Sequence, residues 1–172
     1  MNQVLKLTGI WLVFAFFQIM LFDSMTIGQM ARPYGFLLFL LMLPPNMNRV
    51  VQYLIAFGCG LFIDVFTQTI GLHTFSCVLM MALRPFWINI ITGTVNRSKE
   101  ELSFGSQTLS WIASYILPLI FVHHLSFFLL EASGFAFQHF SRVLLMIFSS
   151  SVYSFVICFL IFGIFYKSSS SR

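Results

Sequence analysis

Long apolar stretches separated by short polar ones set the pattern of this chain. A helix that crosses roughly 30 Å of hydrocarbon needs about 20 predominantly apolar residues, and about 17 suffice when flanking side chains reach the interface. Five stretches meet this requirement, at residues 4–22, 50–66, 70–90, 109–130 and 143–166. Only residues 67–69 separate the second stretch from the third, so we expect these two to form an antiparallel helical hairpin.

A sixth apolar stretch, residues 34–43, is shorter and ends at Pro44 and Pro45. Ten helical residues extend only about 15 Å, and a proline interrupts a helix, so this stretch crosses only if it begins near residue 26. The alternatives are a span at 26–43, tilted or broken, and a re-entrant segment that leaves five spans. We favour six spans, because a helix satisfies its own backbone in lipid whereas a re-entrant segment must be buried in protein.

The distribution of Lys and Arg indicates which side of the membrane each loop faces. With six spans and a cytoplasmic N-terminus, seven of the nine Lys and Arg residues are cytoplasmic, and only Arg32 and Arg142 lie outside. Five spans with an external N-terminus give the same ratio, with Arg32 inside and Lys6 outside. Both arrangements place the loop at 97–101 and the C-terminus in the cytoplasm, and they leave the side of the N-terminus open.

The composition agrees with this pattern, because 59% of the residues are hydrophobic and only 8% are charged, unlike a water-soluble domain. The longest polar stretch, at 96–107, is too short to build a core of its own. We therefore predict a single all-α membrane domain over residues 1–172. The net charge of +4 is small and scattered, which excludes the clustered basic surface that nucleic-acid binding requires.

One face of the predicted helix 50–66 carries the most informative side chains. Gln52, Ala56, Gly60 and Asp64 recur every four residues and therefore share that face. Ala56 and Gly60 form a small-residue pair that lets a second helix approach closely. A carboxylate within a span is costly unless it faces a partner or a cavity. This face is therefore predicted to point into protein.

The hairpin geometry predicts which residues lie opposite this face. With the turn centred near residue 68, Asp64 lies at the depth of His73, and Gln52 lies at the depth of Arg84. Gly71 eases the tight return, because it has no Cβ. We expect these residues to form a helix-packing surface or a cavity for a partner or ligand. The alternative for Asp64 is that it only caps the turn near the end of its span.

Patterns typical of catalysis or metal binding are not found in the sequence. His123 and His124 are adjacent, so on a helix they diverge by about 100° and cannot both face one ion. The serines near residue 150 have no G-x-S-x-G turn. Ser150, Ser154 and Cys158 form a small-residue stripe suited to helix packing. We therefore predict no metal, no cofactor and no enzymatic activity.

The run Gly60-Leu61-Phe62-Ile63-Asp64, followed by Gly71-Leu72-His73 and by Arg84 further along the next span, resembles the signature of the rod shape-determining MreD family. The chain is also similar to that family in length and in its five or six spans. The resemblance implies a fold similar to the membrane-embedded substrate-binding component of energy-coupling-factor vitamin transporters. It further implies a non-enzymatic role in a bacterial inner membrane.

Several partners follow from the resemblance. They are an MreC-like membrane-anchored scaffold protein, the wall polymerase and transpeptidase pair, and MreB filaments reached through the cytoplasmic loop. The same fold relationship leaves a second function open, a small-molecule binding component of a transporter. Such a component needs an enclosed pocket with convergent polar groups, and Asp64, His73 and His123 are expected at one level. A structural subunit of an unrelated membrane complex is a third possibility.

Overall fold

The computed structural model describes residues 9, 13–18, 25–26, 31–93, 107–133 and 140–170. This part of the chain is helical. Its helices are α1 (Leu37–Leu41), α2 (Arg49–Thr67), α3 (Leu72–Thr92), α4 (Leu109–Ser133) and α5 (Phe140–Ser170). Residues 13–17 are helical as well.

Helices α2 to α5 are each long and apolar enough to cross a membrane. They correspond to the predicted spans 50–66, 70–90, 109–130 and 143–166, with ends displaced by a few residues. Consecutive long helices pack against each other, α2 on α3, α3 on α4, and α4 on α5. The chain is therefore a helical membrane protein, and its predicted hairpin is formed by α2 and α3.

Most of the predicted first span, 4–22, and all of the predicted cytoplasmic loop 97–101 lie outside the described residues. Within the first span, Ala15 and Gln18 are buried. The Gln18 amide donates to the Pro33 carbonyl at 3.0 Å and accepts from the Phe36 amide at 3.4 Å. These bonds tie the helical residues 13–17 to the segment around Pro33. Six spans therefore stay a prediction.

The predicted second span, 26–43, is not one continuous helix. Residues 31–36 lie outside any helix, and the α1 helix that follows them has only five residues, about 7.5 Å of length. Pro33 accounts for this break, because a proline and the residue before it both disfavour helical geometry. Among the predicted forms of 26–43 the structure therefore matches the broken one, and residues 27–30 lie outside the described part of the chain.

Residues 31–47, which we call the broken segment, are largely buried against the helical bundle. Every residue from Pro33 to Leu41 is buried, and so is Leu43, while α1 packs against α3 and α5. Irregular backbone at membrane depth is tolerated where protein surrounds it. The preference for a span over a re-entrant segment rested on this requirement for burial in protein. The packing of α1 against two long helices achieves it.

The turn between α2 and α3 contains two residues with positive φ. Gln68 follows α2 with a φ of 57°, and Gly71 precedes α3 with a φ of 75°. A Cβ on Gly71 would meet no atom within 4 Å. Glycine is therefore favoured here by its backbone conformation, and not because space is lacking for a side chain. The expected role of Gly71 in the tight return is thereby confirmed.

Candidate functional site

The Asp64 carboxylate joins the end of α2 to the start of α3. Its Oδ1 atom accepts from the Thr69 hydroxyl at 2.6 Å and from the His73 amide at 3.0 Å. Its Oδ2 atom accepts from the Thr74 amide at 2.9 Å and from the Thr74 hydroxyl at 2.6 Å. The first amides of a helix have no partner within the helix, and they attract negative charge. Asp64 therefore caps the N-terminus of α3, and we call this group the Asp64 cap.

The Asp64 cap leaves the carboxylate little capacity for any other ligand. An ionised carboxylate offers about four acceptor positions, and four donors occupy them. The residue is only 5% exposed. Its expected position beside His73 is confirmed, and so is the expectation that this face points into protein. The contacts match the alternative in which Asp64 caps the turn.

Gly60 allows the close approach that the Asp64 cap requires. A Cβ added to Gly60 would lie 2.5 Å from the Thr74 Cα atom and 2.9 Å from the His73 carbonyl carbon. These are backbone atoms at the start of α3, so no side-chain rotation relieves the overlap. Ala56, one turn earlier, is fully buried. The predicted small-residue pair therefore faces into protein, and Gly60 brings α2 and α3 together at the depth of Asp64.

A second buried polar group, the Arg84 cluster, surrounds the C-terminus of α1. The Arg84 guanidinium donates to the Tyr115 hydroxyl at 2.6 Å, to the Gln52 amide oxygen at 3.1 Å and to the Leu41 carbonyl at 3.2 Å. It also donates to the Leu43 carbonyl, and the Tyr115 hydroxyl donates to the Leu41 carbonyl at 2.7 Å. Arg84 is 1% exposed, so protein atoms replace its water.

Electrostatic attraction explains why an arginine lies at the C-terminus of α1. Carbonyls at a helix C-terminus lack partners within the helix and attract positive charge. Gln52 extends the same arrangement, because its side-chain amide donates to the carbonyls of Pro44 and Met47 at 3.3 and 2.9 Å. The predicted pairing of Gln52 with Arg84 is confirmed. Both side chains also donate to backbone carbonyls of the broken segment. The sequence pattern did not predict these contacts.

Three buried histidines and Tyr34 form a third group, the histidine cluster. The Tyr34 ring lies 4.8 Å from His73, 5.7 Å from His123 and 5.1 Å from His124, measured between ring centroids. The His73 and His123 rings are stacked at 5.7 Å. The cluster brings α3 and α4 against the broken segment. His73 and His123 are therefore neighbours, as expected, while Asp64 reaches only the backbone of His73.

One histidine of this cluster is fully hydrogen-bonded. His124 Nδ1 lies 2.9 Å from the Ile120 carbonyl, which can only accept, so Nδ1 carries the proton. His124 Nε2 therefore accepts from the Ser154 hydroxyl at 3.1 Å. Ser154 in turn accepts from the Tyr34 amide at 2.8 Å. This chain of bonds holds the non-helical backbone at Tyr34 against α4 and α5.

The other two histidines keep buried nitrogen atoms without a hydrogen-bond partner among the described residues. They are Nδ1 of His73 and both ring nitrogens of His123. Within the same residues, no three His, Cys, Asp or Glu side chains are arranged to hold a metal ion. Buried polar atoms without partners are uncommon in proteins. These imidazoles, like the Ser76 and Ser151 hydroxyls, therefore have capacity for a further polar contact in the described core.

Sequence reasoning missed the residues that hold the broken segment. Ser150 accepts from the Arg32 amide at 2.9 Å, and Ser154 accepts from Tyr34. The predicted small-residue stripe on the last span is buried at Ser150, Ser154 and Cys158, but its hydroxyls bind a distant backbone. A polar stripe opposite a proline-interrupted apolar segment was the available signal.

Replacing Asp64 by leucine should lower the thermal unfolding midpoint of the purified protein in detergent. The change leaves the amides of His73 and Thr74 buried without an acceptor, a loss of roughly 2–4 kcal/mol. Asp64→Asn keeps one acceptor oxygen but turns an amide N–H₂ toward other donors, so we expect about half that loss. Val65→Leu, at an exposed neighbour, is the matched control and should stay within about 0.5 kcal/mol. Equal midpoints for Asp64→Leu and the control would contradict the capping role.

Comparison of the chain with protein-family models, with curated proteins and with solved structures finds no significant match.

Proposed function

We propose that this protein is a non-catalytic membrane scaffold subunit of the bacterial cell-wall elongation complex, the role implied by its resemblance to the MreD family. The observation that supports it most is the use made of the signature residues. One tightly joined hairpin contains Gly60, Asp64, Gly71 and His73. Hydrogen bonds within that hairpin fill the acceptor positions of the Asp64 carboxylate. A signature used for internal assembly suits a protein whose task is to present fixed surfaces.

The outward faces of the hairpin supply such surfaces. Leu54, Leu61 and Val65 on α2 and Phe75 and Phe86 on α3 are all exposed. In the proposed complex they contact lipid or the membrane helices of an MreC-like scaffold protein and of the wall polymerase and transpeptidase. MreB filaments would contact the cytoplasmic loop, whose residues 97–101 lie outside the described part. The protein would reside in the inner membrane with a cytoplasmic C-terminus.

A second function, binding of a small molecule as a transporter component, has one specific observation in its favour. The rings of His73 and His123, which carry unpartnered buried nitrogens, are stacked on each other beside Tyr34. Such nitrogens are suited to contact a polar ligand or ordered water. The Asp64 carboxylate does not support this function, because its acceptor positions are filled.

Depletion of the protein in a rod-shaped bacterial host that encodes it tests the proposal. We expect the cells to widen or become round, and we expect insertion of wall precursor along the side wall to fall. Re-expression of the wild-type protein should restore both. Unchanged cell shape and unchanged precursor insertion on depletion would contradict the role in wall elongation.

The variant His123→Phe separates the two functions in the same depleted cells. A buried imidazole without partners can be replaced by an apolar ring at little cost in stability, so a scaffold carrying His123→Phe should restore cell shape. A small-molecule binding component would lose its polar contact and fail to restore growth or shape. Protein levels in the membrane must match the wild type, because an unstable variant would imitate a functional loss.

A further inference from the structure

An apolar groove of about 760 Å³ runs along the outer side of α5, beside Ala31 of the broken segment. Leu145, Ser149, Val152 and Val156 line it, and their spacing of four, three and four residues places them on one helix face. Leu144, Phe148 and Tyr153 complete its walls. Most of these side chains are large and apolar, so the groove is a shallow, open hydrophobic surface along the helix.

Arg142 lies at one end of this groove, and the Arg32 guanidinium reaches toward the same end. Arg142 is exposed and lies three residues before Leu145, so it continues the groove face by one turn. Arg32 follows Ala31 and donates to Glu131 at 3.2 Å. Glu131 is near the end of α4 and Arg142 is near the start of α5, which places both arginines toward the same end of the bundle. Arg32 is neutralised by Glu131, and Asp64 at the same end of the bundle is bonded to the start of α3, so Arg142 is the cation beside the groove for which the described residues show no carboxylate partner.

The length of the groove matches one leaflet of a bilayer. From Leu144 to Val156 the helix rises about 18 Å, at about 1.5 Å per residue. Half of a hydrocarbon core of roughly 30 Å is about 15 Å. A lipid acyl chain in the groove would therefore extend from the membrane surface to its centre, with its headgroup beside Arg142.

The lining distinguishes an acyl chain from a partner helix. Helices associate in membranes through small residues that allow close approach and through polar side chains that bond across the contact. Only Ala31 and Ser149 in the lining are small, and they are surrounded by Leu, Phe and Val. Within the described residues, no carboxylate forms a salt bridge with Arg142, so its charge is available to a phosphate.

We propose that this groove binds one anionic phospholipid, with an acyl chain along α5 and the headgroup phosphate at Arg142. The site is independent of the role in wall elongation, because it uses none of the hairpin residues. Arg32 stays paired with Glu131 and is not needed as a headgroup contact.

Native mass spectrometry of the full-length protein in mild detergent tests this site. The protein is given equal amounts of phosphatidylglycerol and phosphatidylcholine with identical acyl chains. One basic residue at a membrane surface should yield about a fivefold preference for the anionic lipid. Arg142→Gln should reduce this preference to roughly one, and Arg142→Lys should retain it. Val152→Trp, which fills the groove, should reduce the retention of both lipids.

Two variants on another helix serve as matched controls. Arg49→Gln removes an exposed arginine at the start of α2, and Leu54→Trp enlarges an exposed side chain on its outer face. Both should retain lipid as the wild type does, and all variants must share its unfolding midpoint. Equal retention of the two lipids by the wild type would overturn the proposal, as would an equal loss in Arg49→Gln. Cross-linking of Val152→Cys to a single-span protein in membranes would also overturn it, in favour of a helix-docking site.

Discussion

Replacing Gly60 by alanine is expected to separate α2 from α3 and to lower the thermal unfolding midpoint by roughly 6–12 °C. The added Cβ would lie 2.5 Å from the Thr74 Cα atom and 2.7 Å from the Thr74 amide nitrogen, so the helix backbones themselves must move apart. Inserting a carbon into a tightly packed site costs about 1–3 kcal/mol. We expect the upper end of that range, converted at about 2–4 °C per kcal/mol.

The loss of stability in Gly60→Ala should exceed that of ordinary overpacking, because Gly60 and Asp64 both contact the Thr74 amide. The amide of Thr74 that would meet the new Cβ also donates to the Asp64 carboxylate at 2.9 Å. Moving α3 outward to admit the methyl group therefore lengthens a charge-assisted hydrogen bond. Gly60→Ala and Asp64→Leu are consequently expected to be non-additive when combined, since both disrupt one contact.

Gly58 provides the control on the same helix. It is exposed, and a Cβ at this position would meet no atom within 4 Å. Glycine in a helix interior is about 1 kcal/mol less favourable than alanine, so Gly58→Ala should leave the midpoint unchanged or raise it. The two substitutions are chemically identical and two residues apart. If both shift the midpoint in the same direction, close packing at Gly60 is not what holds the hairpin.

The sequence was sufficient to predict the α2–α3 hairpin because its determinants are local. The two spans are apolar, the connection between them is very short, and side chains at matching depth must then face each other. Asp64 with His73 and Gln52 with Arg84 follow from that geometry, and the structure places both pairs together. A four-residue repeat was enough to identify the face of α2 that points into protein.

The broken segment was harder to predict because its stability depends on contacts between distant parts of the chain. Ser154 accepts from the Tyr34 amide across 120 residues, and Arg84 donates to the Leu41 carbonyl across 43 residues. Each of these side chains, taken alone, is compatible with ordinary helix packing or with a functional site. Only the folded arrangement shows that they satisfy backbone groups that a continuous helix would have satisfied by itself.

Five of the buried polar residues therefore share one explanation. A non-helical segment inside a bundle exposes amides and carbonyls that lipid cannot satisfy. Gln amides, hydroxyls and one guanidinium are then needed at fixed places on the surrounding helices, and Gln18, Gln52, Arg84, Ser150 and Ser154 supply them. Of the residues expected to form a binding surface, Gln52 and Arg84 are partners of this segment, whereas Asp64 caps α3. His73 and His123 keep ring nitrogens without a partner among the described residues, which is why His123 separates the two proposed functions.

Replacing Arg84 by methionine is expected to loosen α1 and to destabilise the protein by roughly 2–5 kcal/mol. The substitution keeps a long apolar stem but leaves the Leu43 carbonyl and the Gln52 amide oxygen without their guanidinium donor. Each buried group that loses its partner costs about 1–3 kcal/mol. The Tyr115 hydroxyl can still donate to the Leu41 carbonyl, which limits the loss. The measurement is the unfolding midpoint in detergent, at about 2–4 °C per kcal/mol.

Arg84→Lys distinguishes the geometry of the side chain from its charge. A lysine keeps the positive charge near the C-terminus of α1, but an ammonium group cannot reproduce the planar fork that reaches Tyr115, Gln52 and two carbonyls at once. We expect lysine to recover less than half of the loss. Arg49→Met, at an exposed arginine that begins α2, should change the midpoint little.

Hydrogen–deuterium exchange then locates the effect. In Arg84→Met, faster exchange should be concentrated in residues 37–47, because the guanidinium closes the end of α1 and Gln52 holds the turn at Pro44 and Met47. The amides at the contact between α4 and α5 should exchange as in the wild type, since that contact lies outside the Arg84 cluster. Uniform acceleration over all helices would mean that Arg84 stabilises the bundle as a whole. Wild-type exchange in residues 37–47 would mean that the segment is held without it, and the capping role would be wrong.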